Sequence, residues 1–358
     1  MVLNICDRLD RDSINFDYLK YSRKKGFSEE RAKALGGVIY SAYNDDAKNR
    51  FMKFWLKFYR CYTCCKEAKP DVLHINASTP YDTLIGISAK IAGVKKVVVH
   101  SHNANDSSKS RLMRVMQSIC RHIMPLYTDA YFTCSTEAAQ YMFPTRIIKN
   151  KQYRYIHNGI DIKRFRYNDS IRKTLREQYG LRDAIVIGNV GRFFKQKNHS
   201  FLIDIFYEIA QINGKAKLVL VGEGELQEAI KEKVNKLNIA DRVVFWGPSD
   251  RVNELMQMFD VLLMPSLHEG LPVVGIEAQA AGLPCVFADT ITQEVDITGH
   301  CYFLPLNKPV HEWANVVLDS ASIDYDRGKC AEMVEDAGYS VVRTAQDLAT
   351  QYRNIISK

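Results

Sequence analysis

Twelve short apolar runs, separated by helix-like segments, constrain this chain more than any other feature. In the first half they fall at 16–21, 38–40, 72–76, 96–101, 130–135 and 153–157. In the second they fall at 184–190, 216–221, 243–246, 261–265, 285–288 and 302–304. Near-continuous Val, Ile and Leu fit strands covered on both faces, and strand–helix alternation is the pattern of parallel α/β sheets. The pair Asn158-Gly159 forces a turn between two such blocks. A chain of 358 residues has room for two domains, so the reading is a doubly wound α/β protein divided near residue 159.

Composition narrows the class. No apolar run approaches the ~18 residues that a membrane-spanning helix needs, and the N-terminus has no signal-peptide core, which argues against a membrane-spanning or secreted protein. Residues 1–160 carry 26 basic and 14 acidic residues, a balance of +12, whereas the remainder stands at −4. A basic half beside a mildly acidic one points to different partners, the basic one a phosphate-rich surface. The nine cysteines have no framework spacing, and Cys61, Cys64 and Cys65 have no second cluster to complete a zinc site. They read as reduced packing residues of a cytosolic protein.

The opening residues, 1–9 (MVLNICDRL), read as the end of an amphipathic helix, with no strand or glycine-rich turn before it. A doubly wound domain ordinarily opens on its central strand.

The densest chemical signal is 266–289, SLHEGLPVVGIEAQAAGLPCVFAD. A strand ends, a loop carries His268, Glu269 and Gly270, Pro272 is placed at the first helical position, and Gly282 closes the helix. That helix presents unsatisfied amides and its positive dipole end, an arrangement suited to phosphate. Glu277 lies among Val273, Val274, Ile276, Ala278, Ala280 and Ala281, where a carboxylate is costly unless something bonds it, or else lies on the solvated face.

The spacing Glu269-x7-Glu277 within EGLPVVGIEAQAAGLPCV resembles the signature of family-4 retaining glycosyltransferases of the GT-B fold. The likeness is strongest to those building bacterial capsular and exopolysaccharides. VVVHSHN at 97–103, YIHNGIDIKRF at 155–165, VGRFFKQKNHSFLIDIF at 190–206, LVLVGEGEL at 218–226 and RVVFWGPSDRVNELM at 242–256 match in order. The resemblance implies two Rossmann-like domains facing a cleft: 1–159 for the acceptor, 160–335 for the nucleotide-sugar donor, and a last helix, 336–358, crossing back. It also implies that the first domain lacks its opening strand and glycine-rich loop, as if the reading of the gene were truncated.

By the same resemblance, Arg192 and Lys197, beside Gly191, neutralise the donor diphosphate, a sensible use of preplaced cations. Glu269 holds donor-sugar hydroxyls with the amides of Gly270 and Leu271 and the turn at Pro272, Glu277 accepts from the ribose, and 245–252 lines the base. His102 touches the transferred sugar, with His100 the competing candidate on the same side of the strand. No metal or other cofactor is expected.

Two basic helices, near 48–66 and 109–124, interleave cations with Phe51, Phe54, Trp55, Phe58 and Tyr62 in the first and Leu112, Met113, Val115, Met116 and Ile119 in the second. That pattern fits an anionic membrane surface; it equally fits a stripe packed on a sheet with its lysines solvated. No nucleic-acid-binding motif accompanies the charge.

The expectation is therefore a metal-independent, retaining glycosyltransferase moving sugar from a nucleotide donor, a UDP-sugar, to a lipid-linked glycan. It would be cytoplasmic and peripheral on the inner face of the membrane. The alternatives are a GT-B-type nucleotide-sugar epimerase and a truncated or degenerate nucleotide-sugar-binding protein. A dehydrogenase is disfavoured because no G-x-G-x-x-G follows a first strand.

Overall fold

The computed structural model describes residues 2–9, 13–21, 28–41, 50–102 and 111–357. The chain divides into two compact units, Met1–Gly159 with Val341–Lys358, and Ile160–Ser340. All twelve apolar runs form strands, with ends shifted by at most two residues. They are β1 Tyr18–Lys20, β2 Ile39–Ser41, β3 Val72–Ala77, β4 Lys96–Ser101, β5 Ala130–Thr133 and β6 Arg154–Tyr155. The second unit contains β7 Ile185–Val190, β8 Ala216–Val221, β9 Val243–Gly247, β10 Val261–Met264, β11 Cys285–Ala288 and β12 Cys301–Leu304.

In the second unit the strand order is β12-β11-β10-β7-β8-β9, every described pairing parallel. The winding direction reverses between β7 and β10, and in such sheets ligands bind at the carboxyl ends of the strands beside that switch point. The helix His199–Ile212 explains its own placement: Leu202, Ile203, Ile205, Phe206 and Ile209 are all fully buried. They pack with Leu218, Leu220 and Trp313 in one core. The unit closes on itself where Ile160 N–H donates to Tyr339 O at 2.8 Å, so it extends to Ser340, beyond 335.

In the first unit β3-β4-β5-β6 form a parallel sheet, while β1 and β2 pair in a separate two-stranded sheet. Alternation along β4 divides two cores. Val97 and Val99 pack with Cys61, Ile75, Met124 and Tyr131. Val98 faces the other way, with Phe132, Ile156 and the last helix, Val341–Ile356, through Val341, Ala345, Leu348, Ala349 and Tyr352. Residues Val2–Cys6 are helical, and Ile5 and Leu9 join this second core.

The basic helices span Arg50–Ala68 and Arg111–Ile123. Lys48 and Lys109 lie outside the described residues, as do the side chains of Phe51 and Lys53. The aromatic stripe of the first helix is divided: Phe54, Phe58 and Tyr62 are half-buried, whereas Met52, Trp55 and Tyr59 are exposed. The Phe54 ring stands 4.9 Å from that of Tyr81. No helix among the described residues is long and apolar enough to cross a membrane. Cys61 and Cys65 are buried with sulfurs 4.0 Å apart, and no group of three metal-ligating side chains occurs among the described residues.

Candidate active site

Two loops meet at the switch point of the second unit. The first leaves β7 through Gly191, Arg192, Phe193 and Phe194, makes a turn at Lys195–Lys197, and enters the helix His199–Ile212. The second leaves β10 through Pro265–Pro272 and enters the helix Val273–Ala280. Leu267 N–H donates to Gln196 O at 2.8 Å, Gln196 Nε2 to His268 O at 2.9 Å, and Asn198 Nδ2 to Pro265 O at 3.1 Å. Thr290 Oγ1 donates to Ser266 O at 2.7 Å, holding the second loop from the other side.

These bonds bring Lys197 and Glu269 together: Nζ lies 2.7 Å from Oε1, with both side chains largely buried. Oε1 is buried and has no directed hydrogen bond, so the contact with the ammonium is an ion pair. The lysine stem runs over Gly191, where a Cβ would meet Lys197 Cε at 3.2 Å. Arg192 is exposed, its guanidinium carbon 4.6 Å above the Phe194 ring.

A third loop, after β8, supports the first. Phe193 N–H donates to Glu223 O at 3.0 Å, and Leu226 N–H donates to Phe193 O at 3.0 Å. The interlock needs glycine. Gly222 has φ +138° and a Cβ there would stand 2.1 Å from Gly191 O, while one on Gly224 would stand 2.7 Å from Phe193 N.

Pro272 occupies the cap position rather than the first helical residue, and Gly282 lies just past the helix end with φ +66°. Among the described residues, the N–H groups of Gly270 and Leu271 donate to no backbone carbonyl. Together with the open helix N-terminus they form a row of donors beside Glu269. Glu277 is half-buried one turn into the helix, and burial pushes its pKa up to about 7. It has no hydrogen-bond or ion-pair partner among the described residues. Two residues along, Gln279 is fully buried: Nε2 donates to Gly275 O and Val295 O, and Oε1 accepts from Ile297 N, Thr298 N and Thr298 Oγ1.

In the segment 245–252, the Lys231 ammonium stands 5.9 Å from the Phe245 ring centre and Trp246 packs edge-on to Tyr179. Arg164 Nη2 donates to Asp250 O and Asn253 Oδ1.

His102 belongs to the first unit, one residue past β4, where its N–H still reaches Ala77 O at 3.4 Å. Its Nε2 lies 2.8 Å from Asn76 Oδ1, and its ring stands 4.0 Å from that of His100. Burial pushes its pKa down to about 4, so the imidazole is neutral near pH 7. His100 is buried beneath it, 3% exposed.

The structure thus gathers Gly191, Arg192, Lys197, Glu269, Gly270, Leu271 and Pro272 on adjoining loops, with Glu277 on the helix behind and His102 on a different sheet. Sequence reasoning assigned no role to Gln196, Asn198, Gly222 or Gly224, although all lie within the matched motifs. It also passed over His199, 2% exposed, stacked 4.2 Å from Phe193. Burial first, and then the Lys197 charge, hold His199 down to about 4.

Two Rossmann-like units of this topology define the GT-B fold. Anabaena Alr3699/HepE, solved in complex with UDP and glucose, superposes with a TM-score of 0.75 at 19% identity, over 98% of this chain and 94% of that one. Residues 1–164 match Glycosyltransferase Family 4 and residues 184–322 match glycosyl transferases group 1. The putative glycosyltransferase EpsF of Bacillus subtilis is 30% identical over 98% of this chain and 92% of its own. The UDP-Gal:alpha-D-GlcNAc-diphosphoundecaprenol alpha-1,3-galactosyltransferase of Escherichia coli is 28% identical over 64% of this chain and 60% of its own. The chain belongs to this family of glycosyltransferases.

Proposed function

We propose that the protein transfers a sugar from a uridine diphosphate donor to a growing glycan on a lipid carrier, with retention of anomeric configuration and without a metal. The observation that carries this reading is the Lys197–Glu269 pair at the switch point, set beside Arg192 and unengaged amides.

In this mechanism Arg192 and Lys197 neutralise the diphosphate, and the amides at the start of the helix Val273–Ala280 add partial positive charge. Glu269 accepts from sugar hydroxyls, Glu277 from ribose hydroxyls, and neutral His102 contacts the transferred sugar. The bond from the anomeric carbon to the phosphate oxygen breaks, and the bond to the acceptor oxygen forms on the same face. The acceptor's proton passes to the departing diphosphate, which carries the released electron pair. Preplaced cations favour this because charge develops on the leaving group.

The lipid-linked acceptor is suggested by what the galactosyltransferase relative's name says it uses, and by one surface of the first unit. On the helix Arg111–Ile123, Leu112, Val115 and Ile119 are exposed at one-face spacing, Leu112 by 71%, with Leu126 just beyond and Arg111 and Arg114 alongside. Apolar side chains flanked by arginines match an anionic membrane surface, which supports a peripheral place on the cytoplasmic face as part of this proposal.

Calorimetry with UDP, GDP and ADP tests the donor site, with Glu277→Ala as control. Binding of UDP alone, lost in the variant, is the expected result; a folded protein that binds none of the three, or an equal response in the variant, refutes the assignment. UDP-sugars supplied with a polyprenyl-diphosphate-linked acceptor in vesicles then test transfer.

A further inference from the structure

A row of aromatic nitrogens and one phenol lies across the face of the first unit's sheet covered by the last helix. Tyr352 OH, from that helix, is 2.6 Å from His74 Nδ1 on β3. His74 Nε2 is 3.2 Å from His100 Nδ1 on β4. The His100 ring in turn lies 4.0 Å from the His102 ring, tilted by 36°. Register places Asn76 opposite His100 and Phe132 opposite it on the other side. Phe132 meets the His100 ring edge-on at 6.0 Å and lies tilted to the His74 ring at 5.9 Å. His102 is clasped at its open end by Asn76 Oδ1.

The direction of proton donation follows from counting buried groups. Burial pushes the Tyr352 phenol strongly up, so it keeps its proton and is a donor. With Tyr352 O–H donating to His74 Nδ1, His74 carries its proton on Nε2 and donates to His100 Nδ1, and His100 carries its own on Nε2. That last proton has no directed hydrogen-bond partner among the described residues. The reverse direction strands two groups, the Tyr352 proton and the His100 Nε2 lone pair, against one in the first, the His100 Nε2 proton. Because a buried unsatisfied polar group costs about 1–3 kcal/mol, the first arrangement wins. Both imidazoles are held neutral by burial.

We propose that Tyr352, His74 and His100 form a positioning row that fixes the ring plane of His102 at the mouth of the first sheet. Each ring in the row has one degree of freedom removed by the next. Tyr352 orients His74, His74 orients His100 in a single tautomer, and His100 and Asn76 together hold His102 from below and from the side. The last helix, whose Tyr352 lies 250 residues after His102, thereby sets the geometry of a sugar-contacting group it does not touch. The catalytic part of this inference rests on the transferase reading above; the tautomer assignment does not.

The test uses full-length protein labelled with 15N histidine at neutral pH. Long-range 1H–15N correlation is expected to show His74 and His100 both protonated on Nε2 only. In Tyr352→Phe, which keeps the ring and loses the donor, the His74 and His100 tautomers become mixed and the His102 ring signals move. With the donor sugar as substrate, Tyr352→Phe and His74→Phe are expected to lower kcat about tenfold while KM for the nucleotide sugar changes less than about twofold, as loss of orientation does. His74→Gln, whose amide can accept from Tyr352 and donate to His100, restores most of kcat. Protonation of either imidazole on Nδ1, or a Tyr352→Phe protein with unchanged His102 signals and kcat, overturns the row. If the wild-type protein turns over no nucleotide sugar while both tautomers are as stated, the transferase reading fails and the row stands.

Discussion

Lys197 and Glu269 stand 2.7 Å apart although they come from different loops of the second unit's sheet. Three hydrogen bonds between 196–198 and 265–268, two of them donated by the Gln196 and Asn198 side chains, hold the loops in register, so the pair is preorganised by its neighbours. A cation already bonded to a carboxylate can share itself with a phosphate without rearranging, the condition under which electrostatic stabilisation is most effective. Lys197→Met should lower kcat/KM on the order of a hundredfold and reduce thermal stability, since it leaves the largely buried Glu269 without its cation. Glu269→Gln should keep nucleotide affinity and lose turnover. Steady-state kinetics with calorimetry separate the two; equal loss of UDP affinity in both variants would contradict separate roles.

The glycine interlock makes a different prediction. Gly222→Ala introduces a Cβ 2.1 Å from Gly191 O at a φ of +138°, and Gly224→Ala one at 2.7 Å from Phe193 backbone. Backbone cannot move aside as a flexible side chain can, so the loop carrying Arg192 must shift. Each variant should lose about 1–3 kcal/mol of stability and bind nucleotide at least tenfold more weakly, read by thermal unfolding and calorimetry. A fully stable Gly222→Ala protein with normal affinity would show that the loop adapts.

Glu277 predicts a pH dependence. Its pKa is raised from the usual 4.5 to about 7 by burial. Between those values the native state holds a proton that the unfolded state has released. The stability it contributes is therefore present below about 4.5 and lost as pH rises through about 7. Nucleotide binding should show the opposite slope, because an ionised carboxylate is the stronger acceptor for ribose hydroxyls. UDP affinity is expected to rise up to about tenfold from pH 6 to 8. Glu277→Gln should flatten both profiles, and an unchanged profile in that variant removes Glu277 as the titrating group.

The exposed face at Leu112, Val115 and Ile119 gives the membrane prediction. Replacing the three by serine should weaken sedimentation with anionic phosphatidylglycerol vesicles at least tenfold, since each buried CH2 contributes about 0.8 kcal/mol. Neutral vesicles should bind poorly, and salt should weaken the interaction. Identical sedimentation of the triple variant would locate any lipid contact elsewhere. The Arg50–Ala68 helix is the other candidate: Trp55 and Tyr59 face solvent there, while Phe54 and Phe58 turn toward the protein.

The strands were legible because hydrophobic pattern is a local property: each strand's residues carry their own burial signal, and all twelve runs appear where the pattern placed them. The helix at Val273–Ala280 was legible for the same reason, with Pro272 before it and Gly282 after it acting through the backbone of their own segment. The two readings of the aromatic stripe could not be separated from sequence, because helical spacing alone does not say which face the protein covers. Phe54 finds Tyr81 and turns inward, while Trp55, one residue on, points out.

The sequence by itself determined the class of fold, the order of its elements and the chemical identity of the residues offered at the switch point. Only the tertiary structure decided which of them meet. Lys197 reaches Glu269 because strands β7 and β10, far apart in the chain, are neighbours in the sheet. Tyr352 reaches His74 across 278 residues because the last helix packs on the first unit. Local propensities act over a few residues, whereas such pairings are selected by burial of whole faces, a free energy that exists only once the distant elements have come together.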